Sequence, residues 1–272
     1  MRRATQPFFF EGSAHRETGV LIVHGFTGSP AEMRPIGLPL AAAGYTAHGV
    51  LLAHHGGLPQ ALQDCSWTDW VRSARDGLDK LRQTCSRVFI AGLSLGGLIT
   101  LHLAAHEPDL RGIVVMAAPS GIAHPAVRLV RFARRVVPFY NPLARADFAS
   151  ERVRQSLQMQ YAGEPLNFND PRTISRLKRE ARIPLGAVDE LVRFNQRVVS
   201  ELPLVHAPAL FLQGRRDRTV KAESADVLCG RVSSADKRVV WLPNSGHVLP
   251  LEPDKDELVA EILRFVREHD SA

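Results

Sequence analysis

Arg87-Val88-Phe89-Ile90-Ala91-Gly92-Leu93-Ser94-Leu95-Gly96-Gly97 is the stretch from which the rest of the chain can be read. Arg87 to Ala91 is a short apolar run of the kind that forms a strand buried on both faces of a parallel sheet. Leu95 to Ala105 is rich in small residues and predicts a helix. Between them stands a G-x-S-x-G pattern, and a strand-to-helix junction is the one context in which that pattern has mechanical meaning. So tight a turn holds the middle residue in strained backbone geometry with its hydroxyl exposed, and glycines flank it because side chains there would clash. The helix N-terminus beneath Ser94 offers its positive dipole end to a developing oxyanion.

Working outward, Gly19 to His24 (GVLIVH) is a second buried strand, and Ser29-Pro30 supplies an N-cap and a proline for the start of the next helix. That helix carries Met33, Ile36, Leu40 and Ala43 inward until Gly44 ends the pattern. Thr46 to Leu51 is a further strand. After a loop rich in His and Gly, Ser66-Trp67-Thr68-Asp69 opens a helix with Trp70, Val71, Ala74, Leu78 and Leu81 on one stripe. Gly112 to Ala117, Ala209 to Gln213 and Arg238 to Leu242 read as strands, and about Lys255 to His269 as the last helix. The alternation is that of an α/β fold with a mostly parallel central sheet flanked by helices. It breaks after Pro119, where Arg-rich helical patterns and several prolines carry no convincing buried strand. Residues 1–120 and 187–272 are therefore expected to form one core, and 121–186 an inserted helical cap.

Composition sets the bounds. The 272 residues are 45% hydrophobic and 23% charged, ample for a buried sheet and far from the composition of disorder. The net charge of +6 is a modest excess of 34 Lys and Arg over 28 Asp and Glu, and without a recognition motif it gives no ground for a nucleic-acid partner. Phe8-Phe9-Phe10 after the basic Met1-Arg2-Arg3 is far short of a signal-peptide core, and no apolar run could span a bilayer. Cys65, Cys85 and Cys229 stand in no metal or redox spacing, so a cytoplasmic location is expected. No dinucleotide-binding glycine motif follows the first strand and no HExxH pair occurs, so neither a cofactor nor a metal is expected. Oligomeric state is not readable.

An alcohol is a poor nucleophile at neutral pH, so Ser94 needs a base, and the base an orienting carboxylate. Asp217, in Gly214-Arg215-Arg216-Asp217, follows the strand Ala209 to Gln213, on the side where α/β sites lie. His247, in Asn244-Ser245-Gly246-His247, follows the next strand. A lone Asp in a turn is usually solvated and a lone His incidental, but the order Ser, Asp, His, each just after a strand, is mutually reinforcing. Of 11 histidines only His247 has this placement. His24-Gly25-Phe26-Thr27-Gly28 follows the first buried strand, so the amides of Phe26 and Leu95 are candidates for an oxyanion hole and His24 for a structural brace.

With these segments in view, HGFTGSP at 24–30, AGLSLGG at 91–97, GRRDRTV at 214–220 and NSGHVLPLE at 244–252, the chain resembles the bacterial carboxylesterase and monoacylglycerol lipase branch of the α/β-hydrolase superfamily. The resemblance covers nearly the whole chain and is weakest in the cap. It implies the α/β-hydrolase fold, a nucleophile at Ser94, the acid and base at Asp217 and His247, and oxyanion amides at Phe26 and Leu95. It implies cleavage of short- to medium-chain acyl esters or monoacylglycerols, small-molecule substrates, through an acyl-enzyme. An acyltransferase or carbon–carbon bond hydrolase on the same triad is the alternative, and a non-catalytic binding protein a more distant one. Relatives often carry Gly-His-Gly after the following strand, where this chain has Ala53-His54-His55-Gly56-Gly57. In the cap, Val127 to Val137 (VRLVRFARRVV) is a cationic amphipathic segment. A packed helix with a solvated basic face is the preferred reading of it, and a lid making weak contact with an anionic lipid surface the other.

Overall fold

Runs such as Val20 to Val23 and Phe89 to Leu93 have no polar face, so a sheet built from them must be covered on both sides. The computed structural model, which describes residues 5–121, 137–160, 165–221 and 223–270, meets that demand with a seven-stranded sheet between two layers of helices. Its strands are β1 (Phe8–Phe10), β2 (His15–Val23), β3 (Tyr45–Val50), β4 (Arg87–Leu93), β5 (Gly112–Met116), β8 (Ala209–Gly214) and β9 (Lys237–Leu242). The spatial order is β1-β3-β2-β4-β5-β8-β9, parallel throughout except for β1, which runs antiparallel to β3.

Successive strand residues point to opposite faces, and the core divides accordingly. Leu21, Val23, Ile90 and Val115 join one apolar cluster with α2 (Trp67–Arg82) and α3 (Leu95–His106). Val20, Ile22, Phe89 and Val114 join the other, with α1 (Arg34–Ala42) and the last helix, Lys255–Asp270. Helix α2 begins where its sequence says: the Ser66 amide and hydroxyl donate to Asp69 Oδ2 at 3.0 and 2.6 Å, and Trp70, Val71, Ala74, Leu78 and Leu81 are buried.

Three local expectations are corrected. After Ser29 the chain makes a 3-10 turn over Pro30–Met33 before α1, and the Ser29 side chain makes no capping hydrogen bond. Strand β2 begins at His15, four residues before the apolar run, because its first three residues are exposed and carry no hydrophobic signal. Strand β5 stops at Met116, since Ala117 turns to φ 46°.

Between β5 and β8 lie β6 (Phe139–Tyr140), α4 (Glu151–Gln160), α5 (Pro171–Glu180), β7 (Ile183–Pro184) and α6 (Leu185–Glu201). The segment carries one strand pair that the sequence did not announce, β6 against β7, two residues each and antiparallel. Phe148, Leu157 and Leu177 form a small apolar cluster of their own. Helix α6 returns to the main core, with Phe194 stacked on Trp67 at 5.2 Å. The cationic segment, apart from Val137, lies outside the described residues. Among the described residues no helix is long and apolar enough to cross a membrane.

The last helix, α8 (with α7 at Ser224–Arg231 before it), ties the end of the chain to its beginning. Buried Asp270 accepts hydrogen bonds from Thr18 of β2 and, at 3.0 Å, from Arg87 of β4.

Candidate active site

Ser94 sits between β4 and α3 with φ 54° and ψ −109°, a backbone conformation that L-residues adopt only under constraint. Its amide is tied to Met116 O at 2.8 Å, which fixes the elbow against β5. The first turn of α3 runs so close under β2 that a Cβ on Gly96 would stand 2.2 Å from Val23 O. Leu95 is the first residue of α3, where an amide has no acceptor within its own helix.

The loops after β8 and β9 are zipped together. Arg215 N donates to Leu242 O and Arg216 N to Ser245 O, both at 2.9 Å, and a Cβ on Gly214 would meet Gly246 O at 2.2 Å. Such an approach brings Asp217 and His247, 30 residues apart, into a hydrogen bond of 2.8 Å between His247 Nδ1 and Asp217 Oδ2. Gln213 Nε2 donates to the same oxygen at 2.9 Å, while the amides of Thr219 and Val220 donate to Oδ1 at 2.7 and 3.0 Å. Burial alone would raise the Asp217 carboxyl, but the hydrogen bond and charge of His247 and these two amides outweigh it and hold it below the usual carboxylate range. Asp254 steadies the His247 loop from the start of α8, accepting from Asn244 N at 2.7 Å and Ser245 Oγ at 2.9 Å.

On the other side, His24 is a neutral brace. It donates from Nδ1 to Gly25 O at 2.9 Å and accepts the Leu52 amide on Nε2 at 3.1 Å, and burial with the charge of His55 pushes it down to about 3. The loop where relatives often carry Gly-His-Gly has a definite part here. Buried His55 packs edge-on against His24, Phe26 and Trp70, at 5.0, 6.2 and 6.0 Å between ring centres, and lines the wall behind Phe26.

Ser94 lies beside Gly25, where an added Cβ would be 3.6 Å from Ser94 Cβ and 3.6 Å from Glu32 Oε1. Of the three candidate catalytic groups the structure joins two by a hydrogen bond, Asp217 and His247. No hydrogen bond links Ser94 Oγ to His247 among the described residues. A resting enzyme commonly tightens this contact only with substrate bound.

Glu32 was not singled out from the sequence; an acidic residue eight positions beyond a strand has no periodic signature. Its carboxylate accepts the Gly25 amide at 3.0 Å. Burial raises it to about 7, against the opposing pull of that amide and of His247. A carboxyl raised in the folded state binds its proton more tightly there than when unfolded. The stability this confers is whole below pH 4.5 and is lost as pH rises through about 7. Glu32→Gln should therefore be more stable than the parent at pH 8, by about 2 kcal/mol after allowing for the solvent-exposed part of the residue, with the gap closing toward pH 5. Urea unfolding at the two pH values measures it, and an equal gap at both would contradict the account.

One further cluster sits outside this region. His102 and His106 of α3 and Glu201 of α6 bring ligand atoms within 4.8 Å of one another. Arg197 Nε, however, donates to Glu201 Oε1 at 2.5 Å, so the carboxylate already has a cation. His102 Nδ1 and His106 Nε2 meet Glu201 at 2.6 and 3.2 Å, so the group reads as a hydrogen-bonded cluster joining the two helices.

The elbow, its sheet and the paired loops define an α/β-hydrolase, and the chain belongs to the family described as serine aminopeptidase, S33, whose model matches residues 14–254. Within that family it is a serine hydrolase of the carboxylesterase and monoacylglycerol lipase branch. It is 31% identical over 264 residues to the thermostable monoacylglycerol lipase of Bacillus sp. (strain H-257), covering 97% of this chain and 95% of that one. With the carboxylesterase of Bacillus subtilis (strain 168) it shares 28% identity over 97% of both chains. Among solved structures it is similar to that of the metagenome-derived lipolytic enzymes LipS and LipT, with a TM-score of 0.81, 27% identity and coverage of 98% and 99%.

Proposed function

We propose that the chain hydrolyses short- to medium-chain acyl esters or monoacylglycerols through an acyl-enzyme on Ser94. The observation that carries this reading is the His247–Asp217 hydrogen bond in a chain whose Ser94 sits on a strained strand-to-helix elbow, and the names of the two Bacillus relatives agree with it. His247 takes the Ser94 proton as Oγ attacks the ester carbonyl, and the amides of Phe26 and Leu95 hold the oxyanion. Protonated His247 then gives its proton to the departing alcohol. Water, deprotonated by the same imidazole, releases the acid. Asp217 keeps the Nδ1–H tautomer and balances the imidazolium. Residues 121–186 act as a lid over the acyl chain. Support for that assignment comes from α4 and α5, which interrupt the strand order, and from the 2.8 Å bond of Gln60 Nε2, in the loop after β3, to Arg179 O.

The test is p-nitrophenyl ester turnover across acyl lengths, run beside fluorophosphonate labelling and product analysis with an added alcohol. Butyrate and octanoate esters should be cleaved faster than palmitate, with Ser94 labelled and free acid the main product. Labelling without hydrolysis, with acyl transferred to the alcohol, would replace the reading by an acyltransferase. Neither turnover nor labelling would end it.

A further inference from the structure

Resting on the acyl-enzyme reading above, we propose that Glu32 is a positioning residue for the oxyanion loop, its carboxylate pinning the turn from which the Phe26 amide faces the reacting carbonyl. The peptide group joining Gly25 to Phe26 carries that amide at one end and the Gly25 carbonyl at the other. All peptide bonds among the described residues are trans, so the two point in opposite directions, and fixing the carbonyl aims the N–H. The carbonyl is held twice, by His24 Nδ1 at 2.9 Å and by the Gly28 amide at 3.1 Å. The preceding peptide is held by Glu32, which accepts the Gly25 N–H at 3.0 Å.

The loop is shaped around this carboxylate. A Cβ on Gly28 would stand 2.1 Å from Glu32 Oε1, so the turn closes over the carboxylate with no room for a side chain. Thr27, just before Gly28, takes φ 61°, a conformation the turn must impose. The Phe26 ring is wedged against Trp70 at 5.8 Å and His55 at 6.2 Å. Side chain and carbonyl are thus anchored by other residues, and Glu32 supplies the anchor on the serine side. A helix cap or a surface ion pair does not explain the placement, because the group it meets is the amide of Gly25, the residue on which an added Cβ would stand 3.6 Å from Ser94 Cβ.

An oxyanion amide acts on the charge that appears in the transition state, so loss of its aim should fall on kcat and spare KM. Glu32→Ala and Glu32→Gln are compared with the parent on p-nitrophenyl butyrate, with active sites counted by fluorophosphonate labelling. Glu32→Ala should lower kcat per labelled site by about 10- to 100-fold while KM changes by less than about threefold. Glu32→Gln keeps an acceptor for the Gly25 amide and should recover kcat to within about fivefold of the parent. If Glu32→Ala lost only labelled sites, with kcat per site within twofold of the parent, the role would be structural and the proposal wrong. The same holds if Glu32→Gln were as slow as Glu32→Ala. Failure of the parent itself to label or turn over would instead overturn the acyl-enzyme reading, and this proposal with it.

Discussion

Ser94→Ala should lower kcat for a p-nitrophenyl ester by about 10⁴-fold or more while leaving the fold as it is. Alanine keeps the Cβ that packs beside Gly25 and meets the same backbone strain at φ 54°, and the elbow is held by the Ser94 amide, which the change does not touch. The hydroxyl removed makes no protein hydrogen bond among the described residues, so unfolding free energy should move by less than about 0.5 kcal/mol. Residual turnover from the remaining oxyanion donors and histidine is expected. Steady-state kinetics with a melting curve on the same sample checks both halves. Near-parental turnover would remove Ser94 from the mechanism.

Asp217→Asn is expected to cost about 10⁴-fold in kcat, for a reason visible in its partners. Both carboxylate oxygens receive only donors: His247 and Gln213 on one, the Thr219 and Val220 amides on the other. An asparagine must turn its NH₂ toward one of these pairs. Facing His247, it takes the Nδ1–H away, so the proton moves to Nε2 and the base is lost to Ser94. Facing the two amides, it leaves the buried Val220 amide unmatched, and with it the exposed Thr219 amide, and destabilises the loop, by about 1 kcal/mol. Kinetics with a urea titration separates the two arrangements, and full activity with full stability would exclude both.

The parallel sheet and the order of Ser94, Asp217 and His247 were legible because each follows a continuous apolar run, the pattern that marks a strand buried on both faces. Strand β1 was not, since three phenylalanines are too few to show alternation and an edge strand needs no second buried face. The exposed start of β2 and the two-residue strands β6 and β7 escaped for the same want of pattern. Gln213, Glu32 and Asp254 act through contacts set by how loops meet in space. Each lies near in sequence to what it holds, Gln213 four residues from Asp217, Glu32 seven from Gly25 and Asp254 nine and ten from Ser245 and Asn244, but no apolar pattern marks which polar side chain turns back onto its loop. His55 was hidden inside a departure from the usual loop, and its packing on Phe26 became visible only with Trp70 beside it.

The bonds from Asp270 to Thr18 and Arg87 join residues 252 and 183 positions apart. During synthesis the first strands leave the ribosome long before this partner exists, and β9 with the His247 loop follows almost as late. Contacts so distant along the chain are slow to form, because a large loop must be closed before they return any free energy. The apolar face that this helix covers therefore stays open until Lys255–Asp270 has been made, and an unsealed face of that kind invites self-association of the growing chain.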